Sequence, residues 1–230
     1  MRPLTKKFRQ YQSLSLFSHS SNMINNSSFS FNIEQLEQSI KIDVESHILL
    51  NLLLYAKELN NLFYNDERFS NNYFQKIENN LSNIQSNKLI NDLIKLIKYY
   101  FEKYLLSSII IRCYIQIHVP SSQSGNNQGV NIQNQILKEL DDMKIIIETN
   151  ENIFIDYYKK HYEILKYLNK FPSIEDYHLY LIEYEKKIFY DLRSIILELR
   201  TIFLKTYDII MKNLTKIQMP RNQQSISMIN

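Results

Sequence analysis

Two glycines and four prolines are all the backbone punctuation that 230 residues carry. Ordinary usage is roughly 7% glycine and 5% proline. A β-sandwich or an α/β fold needs a turn about every 10 residues, and those turns draw heavily on these two residue types. Long helices with few connections can do without them, so the sequence predicts an all-α fold. Both glycines, Gly125 and Gly129, fall inside one short stretch, Ser124–Val130 (SGNNQGV). Beyond Pro3, the remaining prolines are Pro120, Pro172 and Pro220, at near-equal spacing, and the segments between them have helical periodicity.

From Tyr177 onward, apolar residues recur at Leu181, Tyr184, Ile188, Leu192, Ile195, Leu199 and Ile202. Steps of three and four mark one helix face. A second stripe, Ile182, Phe189, Ile196, Phe203, Ile210 and Ile217, widens that face beyond what a simple surface helix needs. This predicts cover on two sides, by the helix's own bundle and by a neighbouring subunit. The preceding segment behaves alike, with Ile132, Ile136, Leu140, Met143, Ile147, Phe154, Tyr158, Leu165 and Leu168. Upstream, Lys88 to Val119 forms a further helix. Ile33 to about Phe63 forms the first, with Ile42, Leu49, Leu52, Leu53, Leu59 and Leu62 as its core.

The expected division is a Ser/Asn-rich tail over 1–32, helix one over 33–64, a polar Asn-rich connector over 65–87, helices two to four over 88–217 and a tail over 218–230. Two helices reach about forty residues, or ~60 Å. The natural arrangement is an up-down-up-down four-helix bundle. Its geometry brings the 120–130 loop and the C-terminal tail to one end, where exposed segments carry function.

Charge and composition narrow the classes. Residues 1–33 carry Arg2, Lys6, Lys7 and Arg9 and no acid, which leaves the remainder at −1. A nearly neutral body offers no electrostatic footprint for nucleic acid. No apolar run reaches the ~18–20 residues of a membrane span, so a soluble protein is expected. The single Cys113 sits in an apolar run, cannot form a disulfide within the chain and reads as a buried small residue. Glu175 and His178 stand in Glu-x-x-His spacing, but a carboxylate-bridged metal site needs a second copy and further Glu from other helices. Glu175 and Asp176 instead suit a helix first turn. The five histidines lack metal-ligand spacing, and the glycine stretch lacks the Lys-Ser/Thr of a phosphate loop. No cofactor, metal or catalytic residue is expected, and the 17 tyrosines read mainly as core.

Extended to Val119–Val130 (VPSSQSGNNQGV) and followed by Asn131-Ile132-Gln133, the glycine stretch resembles the activation loop of the 11S (REG) proteasome activator family. The likeness continues through Tyr157-Tyr158, Lys170–Tyr177 (KFPSIEDY), Leu192–Arg200 (LRSIILELR), Tyr207–Ile217 (YDIIMKNLTKI) and Pro220-Arg221. A looser likeness covers Ser46–Phe63, and the wording is nearest the family's gamma-type members. Two departures stand out. Ser121–Ser124 replaces a stretch containing two acids, and Gln128 replaces a phenylalanine.

The resemblance implies a non-catalytic, ATP-independent activator. It also implies a homoheptameric ring of such bundles that docks on the outer-ring α subunits of the 20S proteasome. Tail residues Ser227, Met228, Ile229 and Asn230 would supply binding. Pro120, Gly125, Asn126, Asn127, Gln128 and Gly129 would open the gate, with the glycines supplying backbone conformations closed to other residues. Lys170 and Pro172, at the turn between helices three and four, would influence which active sites respond. A nuclear or cytoplasmic location follows from the gamma-type likeness alone. The loop departures motivate an alternative expectation, a ring-forming scaffold that binds without opening the gate.

Overall fold

The computed structural model describes residues 33–69, 87–121 and 127–221. The basic tail, most of the connector, Gly125, Asn126 and Ser227–Asn230 lie outside the described residues. The chain divides into two units, Met1–Ile33 and Glu34–Asn230, and the bundle belongs to the second.

Helix α1 runs Ile33–Ile42, passes through a π-helical segment, Asp43–Ile48, and continues as Leu49–Asn65. A 3-10 turn, Glu67–Phe69, follows. Helix α2 spans Lys88–Ile117, α3 spans Gln128–Lys170 and α4 spans Glu175–Gln218. No strand occurs among the described residues.

Prolines stop three of these helices. The ring removes an N–H and restricts the residue before it to extended backbone. Helix α2 ends at Ile117 ahead of Pro120, α3 at Lys170 ahead of Pro172, and α4 at Gln218 ahead of Pro220. The residues preceding the last two, Phe171 and Met219, have left helical geometry, at φ −134° and −130°. Helix α2 begins at a side-chain cap, where Asn87 Oδ1 accepts from the amides of Leu89 and Ile90.

Cross-helix partners define the topology. Tyr100 donates to Glu58 and Tyr114 to Glu45, so α1 and α2 are antiparallel. Arg112 pairs with Asp141 while Phe101 stacks on Phe154, which opposes α2 and α3. Lys205 pairs with Glu139 and Asn150 with Glu198, which opposes α3 and α4. Asn87 meets Glu185 and Tyr104 meets Thr206, so α2 and α4 run parallel. The result is an up-down-up-down helical bundle, as the sequence predicts.

The wide face of α4 has an intramolecular explanation. Phe189, Ile196, Phe203, Ile210 and Ile217 of the second stripe are buried within this chain, together with Leu192, Ile195, Leu199 and Ile202 of the first. Helix α4 touches all three others: Phe203 lies 5.5 Å from the ring of Tyr55 on α1, and Thr206 meets both Tyr104 on α2 and Met143 on α3. The bundle's own helices therefore take up much of the width of this face.

Three further assignments shift. On α3 it is Tyr157 that is buried, whereas Tyr158 is exposed. Cys113 is half-buried. Ile42 is exposed and Val44 takes its place, because the π segment changes the register of α1. In an unbroken α-helix the residues four before Leu49 and seven before Leu52 coincide at Glu45, which would aim a carboxylate at the core. The wider turn puts Val44 inside and leaves Glu45 at the margin.

Candidate functional site

The C-terminal ends of α2 and α4 and the first turn of α3 meet at one end of the bundle. Each helix C-terminus leaves carbonyls without intrahelical partners. Gln133 serves both: its Nε2 donates to the His118 carbonyl at 3.0 Å and to the Ile217 carbonyl at 2.8 Å. Gln133 is fully buried, and its Oε1 has no hydrogen-bond partner. Its place on the buried face follows from spacing, since Gly129, Gln133, Ile136, Leu140, Met143 and Ile147 step by four and three.

Gly129 belongs to α3 itself, one residue after the helix begins. A Cβ there would lie 2.1 Å from the Pro220 carbonyl oxygen, 2.5 Å from its Cα and 2.6 Å from its carbonyl carbon. The glycine admits the chain leaving α4. This corrects the expectation that Gly129 supplies unusual turn conformations: its backbone is helical, and the requirement is space.

Beside it, Arg221 Nη2 donates to Asn127 Oδ1 at 3.2 Å. The Asn127 side chain makes no capping bond to its own helix, while its carbonyl accepts from the Asn131 amide at 2.9 Å. Gln128 is exposed at the start of α3, and Pro120 is half-buried just beyond α2.

A second network braces this end from α1. Gln218 Nε2 donates to Glu45 Oε1 at 2.6 Å and to the Tyr114 hydroxyl at 3.1 Å. The Tyr114 hydroxyl in turn donates to Glu45 Oε1 at 3.0 Å. Burial pushes the Tyr114 phenol up to about 12; the bond from Gln218 opposes that shift, and the Glu45 carboxylate adds to it. His118 Nδ1 lies 2.8 Å from the Tyr114 carbonyl. Sequence reading missed Glu45 and Gln218 because their meeting depends on the π segment.

Lys170 and Pro172 lie at the far end of α3, away from Gly129. Lys170 Nζ sits 5.1 Å from the Phe171 ring centroid, and Tyr177 stacks on Tyr167 at 5.6 Å. Pro172 is exposed, and its carbonyl lies 3.4 Å from His178 Nε2. Glu175 and Asp176 occupy the first turn of α4. Among the described residues, no group of three His, Cys, Asp or Glu is placed to hold a metal, and no helix is long and apolar enough to cross a membrane. This end of the bundle is tied together by side-chain hydrogen bonds from Gln133, Gln218 and Arg221.

The all-helical bundle has counterparts among known proteins. Residues 83–227 match the family model described as proteasome activator PA28, C-terminal. The chain belongs to that family. Proteasome activator complex subunit 3 from Homo sapiens is 28% identical over 146 residues, covering 62% of this chain and 56% of that protein. Subunit 2 from Bos taurus is 28% identical over 120 residues, covering 52% of this chain and 50% of that one. The chain thus spans about half the length of the curated relatives it matches.

Among solved structures, the 11S subunit PA28 of the Plasmodium falciparum proteasome superposes with a TM-score of 0.72 at 20% identity, covering 89% of this chain and all of that one. A chain from the archaeal 20S proteasome–PA26 complex gives a TM-score of 0.56 at 15% identity, covering 82% of this chain and 90% of that one. At these identities the likeness establishes the fold.

Proposed function

We propose that this chain is a non-catalytic, ATP-independent activator of the 20S proteasome. The carrying observation is the junction of Asn127 and Gly129 with Pro220 and Arg221. The segment resembling an activation loop and the root of the C-terminal tail share one end of the bundle. In this reading Ser227–Asn230 insert between outer-ring α subunits, and the loop that carries Pro120, Gly125, Asn126, Asn127, Gln128 and Gly129 presses on the gate. Lys170 and Pro172, at the opposite end, bear on which active sites respond.

Assembly into a homoheptameric ring of the gamma type belongs to the same proposal. Exposed Leu50, Leu54, Leu106, Ile109, Ile155 and Leu204 support self-association, and the number seven follows family likeness. A ring gains avidity because seven weak tail contacts act at once. A nuclear or cytoplasmic location is part of the gamma-type reading.

The second reading is a ring that binds without opening the gate. It is favoured by exposed Gln128 where the family carries an aromatic residue. One experiment separates the two: hydrolysis of short fluorogenic peptides by latent 20S proteasome from the same source, without ATP. A several-fold rise on adding this protein supports activation. No rise, with an assembly of about 194 kDa (seven times 27.7 kDa), supports the scaffold.

A further inference from the structure

Resting on that reading, we infer that Gly129 and Arg221 are positioning residues that set the activation loop relative to the root of the tail. Three contacts carry this. The Gly129 backbone packs where the three atoms nearest to a Cβ would all be Pro220 backbone, the first at 2.1 Å, and no rotamer change relieves a backbone clash. Arg221 bonds the Asn127 side chain across the same gap. Gln133 holds the last turn of α4 through Ile217 and the chain leaving α2 through His118.

The loop therefore has both ends fastened to the point from which the tail departs. It emerges next to His118 and returns at Asn127. A tail docked in its pocket fixes Pro220 in space, and Gly129 and Arg221 pass that position to the loop. The contribution of these two residues is to gate opening, while affinity resides in the tail beyond Arg221.

An alanine at 129 displaces the Pro220 backbone by on the order of 1 Å if its Cβ is to clear 3.0 Å. Small misplacements of that size cost large factors where geometry is the device. The test uses full-length Gly129→Ala and Arg221→Leu, each titrated against latent 20S proteasome with a fluorogenic peptide. The expected result is a plateau of stimulation that falls roughly tenfold, with half-saturation unchanged within about twofold. An unchanged plateau in both variants overturns the inference. So does a preserved plateau with weakened half-saturation, which would place these residues in binding.

If Gly129→Ala fails to fold, Arg221→Leu, at the half-buried chain exit, carries the test. Hydrogen exchange on wild type and Arg221→Leu without proteasome reads the coupling directly. Exchange over residues 127–133 should rise by roughly tenfold on loss of the Arg221 bond. Unchanged exchange overturns the coupling. A wild-type protein that does not stimulate hydrolysis sinks the activator reading instead, and the exchange measurement still decides the coupling.

Discussion

The carboxylate of Glu185 lies 3.4 Å from Nε2 of His161, with the two side chains 1% and 8% exposed. Oε2 of Glu185 accepts from Asn87 Nδ2 at 2.9 Å, while Oε1 has no hydrogen bond, so the contact with His161 is an ion-pair distance without hydrogen-bond alignment. Asn87 also caps α2, so one carboxylate links the start of α2 to α3 and α4. Tyr157 lies beside the pair with its hydroxyl buried and unpartnered; burial foremost, with the charge of Glu185 adding, drives its phenol well above the ordinary range.

Breaking this pair should cost unequally from its two sides. A buried carboxylate that loses a polar neighbour keeps its desolvation cost with less to offset it. His161→Leu, which leaves Glu185 with Asn87 but without the imidazole, should destabilise by about 1–3 kcal/mol. Glu185→Gln keeps an acceptor for Asn87 and removes the charge, and should cost less than about 1 kcal/mol. Denaturant unfolding measures both, and equal losses would refute the assignment of the charge.

Gln133 works as a donor. Gln133→Leu should cost about 1–3 kcal/mol by orphaning the carbonyls of His118 and Ile217. Gln133→Glu should cost more, because an ionised carboxylate cannot donate and would face two carbonyl oxygens. Thermal scans at neutral pH rank the two, and a glutamate milder than leucine would contradict the geometry.

Alkali should unfold the bundle through its tyrosines. Burial is the main cause that pushes Tyr104, Tyr114 and Tyr184 up to about 12, against an ordinary value of 10. Between those values the unfolded chain has released protons that the folded chain retains, so stability falls as pH rises. Their contribution is fully present below pH 10 and is lost toward pH 12. Phenolate absorbance followed with helical content should show the late tyrosines ionising together with loss of helix. Early ionisation with helix intact would argue against their burial.

Substituting the loop should separate binding from activation. Asn126→Tyr and Asn127→Tyr are expected to yield an assembly that still binds 20S proteasome yet fails to stimulate peptide hydrolysis. Co-sedimentation and hydrolysis on the same samples check this, and stimulation unchanged by both substitutions would refute the loop's role.

Truncation tests the tail from the other side. A chain lacking Ser225–Asn230 should keep its assembly mass and lose proteasome binding. Retained binding would move the docking site elsewhere.

Much of this was legible in the sequence because prolines and apolar spacing act locally. Pro120, Pro172 and Pro220 mark the helix ends, and the stripe from Leu181 to Ile202 is buried as spaced apart from the half-buried Tyr184. What escaped depends on distant partners. Glu185 lies on the stripe between Leu181 and Ile188, yet spacing alone gave it no reason to be inside until Asn87 and His161 approached. Gln133 sat equally plainly on the buried face of α3, and a polar residue there was the available signal. Gly129 read as a turn residue because its neighbour Pro220 is remote in the chain.

The π segment, Asp43–Ile48, sets the rotational phase of everything before it in α1. One residue spans about 100° of a helix. Deleting a single residue there would turn Leu36 and Ile42, both exposed now, to a different bearing around the α1 axis, while Leu49 to Leu59 kept theirs. The first ten residues of α1 are aimed by a one-residue offset, and a change in that offset would re-aim them without altering a single side chain.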